Sequence, residues 1–196
     1  MKILFAVLCY LFGAIPSGYI LFRLSEKKDI RRFGSQATGA TNVLRLKGLK
    51  YAIPVLLFDV AKGFLPVFLA LKLFEDLILA LICGFLAVIG HCFPVYIKFK
   101  GGKGLATTLG AYALLAFKPA LLSLAVFLIA VGISRYVSLG SLLAVLSFPA
   151  FALLFKEEIQ VVYFGIALFI LVAFMHRENI ARLIKGTERK IGEKAG

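Results

Sequence analysis

The residues best equipped for chemistry in this sequence gather in short basic stretches at breaks between long apolar runs. The first stretch, RLSEKKDIRRFGSQATGATNVLRLKGLK at 23–50, encloses the small or hydroxyl- and amide-bearing residues Gly34, Ser35, Gly39, Ala40, Thr41 and Asn42. Such residues let backbone amides converge on an anion, and Arg45 adds a planar fork that matches phosphate. The second, KFKGGKG at 98–104, presents Gly101, Gly102, Lys103 and Gly104 just ahead of Leu105-Ala106-Thr107-Thr108, which reads as the first turn of a helix. Amides at a helix N-terminus beside one lysine form an anion site. This is not a P-loop, because Lys103 is followed by glycine where a magnesium-binding hydroxyl would be needed.

The third stretch, HRENIARLIKGTERK at 176–190, leaves an apolar run at His176 and is predicted to continue as helix to a C-cap at Gly186. There His176, Asn179 and Leu183 share a face, and Glu178 and Arg182 have the i,i+4 spacing of a surface pair. A fourth break, 134–141, offers Ser138 and Ser141. Simpler readings compete at each place. Lys27, Lys28, Arg31 and Arg32 are explained by membrane topology alone, a GGKG is by default a flexible turn, and a membrane-exit His and Asn can be mere interfacial anchors. Topology, however, requires none of Ser35, Thr41 or Asn42. Several cationic, amide-rich patches on one body predict a phosphate site at a membrane surface.

The elements that must carry these patches are apolar. The chain is 61% hydrophobic with a mean hydropathy of +0.96, and its apolar blocks run 3–22, 51–73, 77–97, 105–117, 120–134, 137–155 and 159–175. A helix of about 20 residues crosses the ~30 Å hydrocarbon core. The expected fold is therefore all-α: one polytopic helical membrane domain over 1–196, without the roughly ten-residue alternating segments of a β-barrel. Block 3–22 is longer than a signal-peptide core and lacks a small-x-small cleavage site, so it reads as a retained span.

Seven crossings are expected. The halves of 105–134, divided at Lys118-Pro119, are short for full spans, which leaves five spans plus a re-entrant pair as the alternative. Either arrangement places 18 Lys and Arg on one face and Lys2, Lys72, Lys118 and Lys156 on the other. That bias puts the N-terminus outside and the C-terminus in the cytoplasm.

The net charge of +13 lies in short loops beside spans, so topology and anionic substrates account for it and nucleic acid is not implied. Cys9, Cys83 and Cys92 lie in apolar segments and read as buried thiols, not as a metal site. Asp59 and Lys62, one turn apart inside a span, are expected to pair because unpaired charge there is expensive.

Four ordered motifs, GSQATGATNVLR at 34–45, HCFPVYIKFKGGKGLAT at 91–107, RYVSLGS at 135–141 and HRENIARLIKGTERK at 176–190, resemble the bacterial acyl-phosphate-dependent glycerol-3-phosphate acyltransferase family (PlsY) over essentially the whole chain. The family pattern has Gly-Asn after the serine where this chain has Gln36-Ala37. The resemblance implies acyl transfer from acyl phosphate to the 1-hydroxyl of glycerol 3-phosphate, giving 1-acyl-glycerol 3-phosphate, with no cofactor. It implies a place in the bacterial inner membrane with the site facing the cytoplasm, and a soluble transacylase that makes the acyl phosphate from acyl carrier protein. It places Ser35 and Arg45 in the catalytic motif, Gly101, Gly102, Lys103 and Gly104 at phosphate, and His176, Asn179 and Glu188 in the third motif. Two phosphates meet in such a reaction, so Arg45, Lys103, Arg177 and Arg182 are candidate cations, with Thr41, Asn42, Ser138 and Ser141 as polar partners.

An acyl phosphate is already activated, so positioning and charge stabilisation can supply the catalysis. The proton acceptor is either His176 or the substrate's own phosphate. A His-x4-Asp pair is missing, since Tyr96 follows His91 by five residues and Ala181 follows His176 by five. A transporter of a phosphorylated metabolite is the main rival, but it would place its polar site near the bilayer midplane and often shows internal repeats. A head-group phosphotransferase would need paired aspartates and a divalent metal.

Overall fold

The computed structural model describes residues 1–193, and among them there are helices and no strands. The α-helices are α1 (Lys2–Gly13), α2 (Ser17–Glu26), α3 (Ala40–Lys47), α4 (Leu49–Phe74), α5 (Leu77–Cys92), α6 (Leu105–Leu115), α7 (Phe117–Ser134), α8 (Val137–Leu154), α9 (Ile159–Met175) and α10 (Arg177–Ile184). Every expected apolar block carries a helix, the first broken at Ala14–Pro16 and the third ending at Cys92. Five segments are long and apolar enough to cross a membrane: Lys2–Glu26, Leu49–Phe74, Leu77–Ile97, Phe117–Ser134 and Val137–Leu154. The pair α9 and α10, bent by 66° at His176, makes a sixth if counted as one broken span, and α6 is an apolar helix of only 11 residues.

The break within 105–134 falls at Ala116, not at Lys118-Pro119. Pro119 sits in the first turn of α7, where the N–H it lacks would have had no intrahelical partner. The proline therefore starts a helix of 18 residues instead of ending one. Pro16 has the opposite effect. It disfavours helical backbone at Ile15 and splits the first apolar block into α1 and α2.

Two compact units make up the described chain, one over residues 1–111 and one over 112–193. In the first, α5 packs against α1 and α4. Without a strong hydrophobic drive between helices in lipid, close backbone approach matters most. A Cβ on Gly63 of α4 would run into the Thr107 carbonyl of α6, and one on Gly110 of α6 into the Val60 carbonyl of α4. In the second unit α8 packs against α7 and α9, with Phe148 and Leu168 fully buried.

The expected pair of Asp59 and Lys62 is present at 2.8 Å, both residues 1% exposed. Two further partners join it. The Ser17 hydroxyl donates to Asp59 at 2.6 Å, and Lys62 Nζ reaches the Ile15 carbonyl at 2.9 Å and His91 Nδ1 at 3.1 Å.

Candidate active site

On the first unit, Asn42 builds the 34–42 loop. Its side chain is 1% exposed, accepts from the Ser35 amide at 2.9 Å, and donates to the Phe33 and Ala37 carbonyls at 3.2 and 2.9 Å. Oδ1 and both N–H groups of the amide are thus engaged by the loop itself. Gly34 has φ +58, and a Cβ there would strike Asn42 Oδ1. Gln36 adopts φ +60, a left-handed conformation that a side chain of its size rarely takes. From it rises α3, opening at Gly39, with Thr41 in the first turn, buried Asn42 next, and half-buried Arg45 in the last turn.

The second stretch folds onto the same unit. Arg31, which topology alone seemed to explain, grips Asp29 in a fork (Nε–Oδ1 3.0 Å, Nη2–Oδ2 2.7 Å) and donates to the Ile97 carbonyl at 2.7 Å. It therefore straps the first loop to the second. The chain then passes through Lys98 and Phe99, at φ +59 and +58, unusual values for side chains of that size. The Gly101 amide donates to the Cys92 carbonyl at 3.2 Å and the Gly102 amide to the His91 carbonyl at 3.0 Å. These two amides satisfy the C-terminal carbonyls of α5, so they are occupied by the fold.

Donors for an anion come from farther along. The α6 amides from Leu105 to Thr107 belong to a first turn, which has no intrahelical acceptors. The Thr107 and Thr108 hydroxyls, 0% and 1% exposed, have no hydrogen-bond partner among the described residues. Buried polar groups are normally paired. Two buried hydroxyls without a partner at the start of the helix that follows Lys103 and Gly104 mark this helix start as a candidate anion site.

On the second unit the centre is Glu188, 8% exposed. Its Oε1 accepts from Asn179 at 2.6 Å and from the Ser138 hydroxyl at 2.9 Å, and its Oε2 accepts from Arg182 Nε at 2.7 Å. The helix end explains how it gets there. Gly186, at φ +69, donates to the Leu183 carbonyl at 3.1 Å and Thr187 to the Arg182 carbonyl at 2.9 Å, a Schellman turn that folds the chain back over α10. The expected cap at Gly186 is thereby in place, and the next residue but one becomes the carboxylate that Asn179 and Arg182 bind. The expected Arg182–Glu178 pair is a long 3.9 Å contact beside it. His176 is 3% exposed and forms the joint between α9 and α10. Its Nδ1 lies 2.8 Å from the Val172 carbonyl. A carbonyl only accepts, so Nδ1 carries a proton and donates it to this bond.

The other candidates lie elsewhere or are differently engaged. The Ser141 hydroxyl donates to the Val137 carbonyl of its own helix at 2.7 Å. Arg177 is exposed, donating to the Phe174 carbonyl at 3.1 Å with its guanidinium over the Phe174 ring.

A glycerol-3-phosphate acyltransferase family model matches residues 3–186. The chain belongs to the glycerol-3-phosphate acyltransferase family. A glycerol-3-phosphate acyltransferase of Endomicrobium trichonymphae is 42% identical over 191 residues, covering 97% of this chain and 96% of the relative. One from Shouchella clausii is 44% identical, covering 94% and 93%. Among solved structures, the glycerol 3-phosphate form of PlsY, an integral membrane glycerol 3-phosphate acyltransferase, is 38% identical with a TM-score of 0.93, covering 97% of this chain and 96% of that one. The lysophosphatidic acid form of PlsY is 37% identical with a TM-score of 0.90, covering 97% and 95%. The family resemblance seen in the sequence is therefore correct, and membership extends over residues whose long-range roles no motif displays. Arg31 and Ser17 are two such residues, and His91 heads the second motif without the motif showing its partner Lys62.

Glu188 also makes this cluster sensitive to pH. Burial works to raise its carboxyl, but the hydrogen bonds from Asn179, Arg182 and Ser138 outweigh that and hold it below the ordinary glutamate value. With the folded value depressed, the stabilisation is fully present above the unfolded value of about 4.3 and is lost as pH falls through the folded value. Thermal unfolding of wild type and Glu188→Gln, compared at neutral pH and near pH 3, should show a gap favouring wild type that closes on acidification. A gap that stays constant would mean that the charge on Glu188 contributes nothing.

Proposed function

We propose that this protein is a multi-pass membrane enzyme that transfers an acyl group to the 1-hydroxyl of glycerol 3-phosphate, giving 1-acyl-glycerol 3-phosphate for phospholipid synthesis. The observation that carries the reading is the start of α6: Lys103, first-turn amides and two orphan buried hydroxyls, within a chain of the acyltransferase family. The named relatives act on glycerol 3-phosphate, and the solved PlsY forms hold that molecule and lysophosphatidic acid. The donor in this reading is an acyl phosphate, supplied by a soluble transacylase that draws on acyl carrier protein.

The chemistry follows from the bonds exchanged. The substrate hydroxyl attacks the acyl carbonyl, a C–O ester bond forms, the bond from acyl carbon to phosphate oxygen breaks, and inorganic phosphate leaves. Because the leaving group is already good, no covalent enzyme intermediate is needed. Lys103, with the α6 amides, and Arg45 neutralise phosphate, while Ser35 and Thr41 offer hydroxyls from the same loop and helix. The proton of the attacking hydroxyl goes to the substrate's own phosphate or to His176, and on the second unit Glu188 holds Asn179, Ser138 and Arg182 in place. Asn42 acts by building the loop under Ser35.

Purified protein should acylate labelled glycerol 3-phosphate with acyl phosphate in the presence of a metal chelator, and far more slowly with acyl-coenzyme A. Equal or faster turnover with acyl-coenzyme A would overturn the donor assignment. Vesicle uptake of glycerol 3-phosphate without lipid product would overturn the activity itself in favour of transport.

The same assay tests Arg45. If its fork grips phosphate, Arg45→Lys keeps the charge but loses the paired geometry. A charge-assisted hydrogen bond of about 1.5–3 kcal/mol then corresponds to a fall in kcat/KM of roughly ten- to a hundred-fold. Exposed Lys50→Arg is the control and should do little. Near wild-type activity in Arg45→Lys would remove Arg45 from the site.

We assign the cationic stretches to the cytoplasmic face of the bacterial inner membrane, with the N-terminus outside, on the 18-to-4 division of basic residues. In a background lacking Cys9, Cys83 and Cys92, Lys28→Cys and Lys100→Cys should react with an impermeant thiol reagent only from the cytoplasmic side. Glu157→Cys should react only from outside. Labelling of position 28 and position 157 from the same side would overturn this orientation.

A further inference from the structure

One cluster of the first unit has no role in the reading above: Ser17, Asp59, Lys62 and His91, the residue that heads the second motif. All three donors of the Lys62 ammonium have acceptors, namely Asp59 Oδ1 at 2.8 Å, the Ile15 carbonyl at 2.9 Å and His91 Nδ1 at 3.1 Å. An ammonium only donates, so His91 Nδ1 is the accepting nitrogen and a neutral ring carries its proton on Nε2. The ring is 7% exposed and its orientation is set from behind by Lys62, which Asp59 in turn holds.

The other edge of that ring meets the glycine loop. A Cβ built on Gly102 would overlap His91 Nε2, and the next nearest atoms are Cε1 at 2.8 Å and Cδ2 at 2.9 Å, all in the same imidazole. Gly102 is not among the positive-φ glycines, so its backbone would accept alanine. The obstacle to a side chain there is the imidazole. The His91 carbonyl also accepts the Gly102 amide at 3.0 Å. One residue thus holds Gly102 twice, once through its backbone and once through its ring, immediately before Lys103.

The geometry points to His91 as a positioning residue: held by Lys62, its ring sets the height of Gly102 and thereby the placement of Lys103 and the α6 amides on substrate phosphate. This rests on the reading of that loop as the phosphate site. A histidine present only to satisfy Lys62 would be replaceable by any acceptor at Nδ1. A histidine that supports the loop would not, because the ring beyond Nδ1 is what touches Gly102.

His91→Asn separates the two roles, since its Oδ1 stands where Nδ1 was while the space under Gly102 is vacated. Steady-state kinetics with glycerol 3-phosphate and acyl phosphate are measured for wild type, His91→Asn, Gly102→Ala and the double variant, together with thermal stability. We expect His91→Asn to keep near wild-type stability while KM for a phosphate substrate rises roughly ten-fold, and Gly102→Ala to lose at least as much. The double variant should recover, because the alanine methyl fills the vacated space. Wild-type kinetics in His91→Asn, or losses that simply multiply in the double variant, would overturn the proposal. Should Gly102→Ala alone fail to assemble, assembly and activity of the double variant are the expected rescue, and its failure overturns the clamp. Lys103→Gln distinguishes the underlying reading: unchanged KM values there would mean that the loop does not bind phosphate, whatever the cycle shows.

Discussion

A lysine ammonium with 1% exposure inside an apolar helix is the constraint around which the first unit is organised. Hydrocarbon offers no water to a stranded charge or carbonyl, so each must be satisfied by the protein. Lys62 meets that demand with three acceptors from three places in the chain: its own helix, the break between α1 and α2, and the end of α5. The dependence runs both ways. Pro16 interrupts the first helix and removes an N–H from it, and Lys62 supplies a donor to the Ile15 carbonyl at that break. Asp59 balances the ammonium and takes the Ser17 hydroxyl at the start of α2. Removing one charge of such a pair would strand the other, at a cost of about 3–5 kcal/mol.

That cluster reaches the glycine loop through His91, and the loop illustrates how the polar residues divide their work. The Gly101 and Gly102 amides end α5, whereas the buried Thr107 and Thr108 hydroxyls have no hydrogen-bond partner among the described residues. Asn42 and Glu188 repeat the pattern on separate units. Each is a buried side chain whose hydrogen bonds are spent on holding neighbours, Asn42 on the loop carrying Ser35 and Glu188 on Asn179, Ser138 and Arg182. A residue can therefore be indispensable to a site through what it holds in place, and its motif position alone does not distinguish that from contact with substrate.

The sequence by itself determined a good deal. Runs of about twenty apolar residues must become helices in hydrocarbon, because only a helix satisfies its own backbone there. Each expected block carries a helix, and the Asp59–Lys62 pair and the turn at Gly186 follow from spacings of three or four residues and from the φ that only glycine adopts without strain. Family membership was also legible, since loop motifs of fixed order carry it. These are all local properties.

Tertiary structure decided which distant groups share a hydrogen bond. Arg31 looked like a topological charge because nothing near it in sequence reveals the Ile97 carbonyl, 66 positions away. Ser17 and His91 stand 42 and 29 positions from the partners that give them meaning. Pro119 looked like a break because helix-starting and helix-ending prolines have the same letter, and only the cap at Ala116 tells them apart. Periodicity and composition report what a segment must bury. They carry no record of which carbonyl a buried cation will find, because that depends on how close two helices can come, and here Gly13 of α1 and Gly90 of α5 bring Ile15 and His91 together.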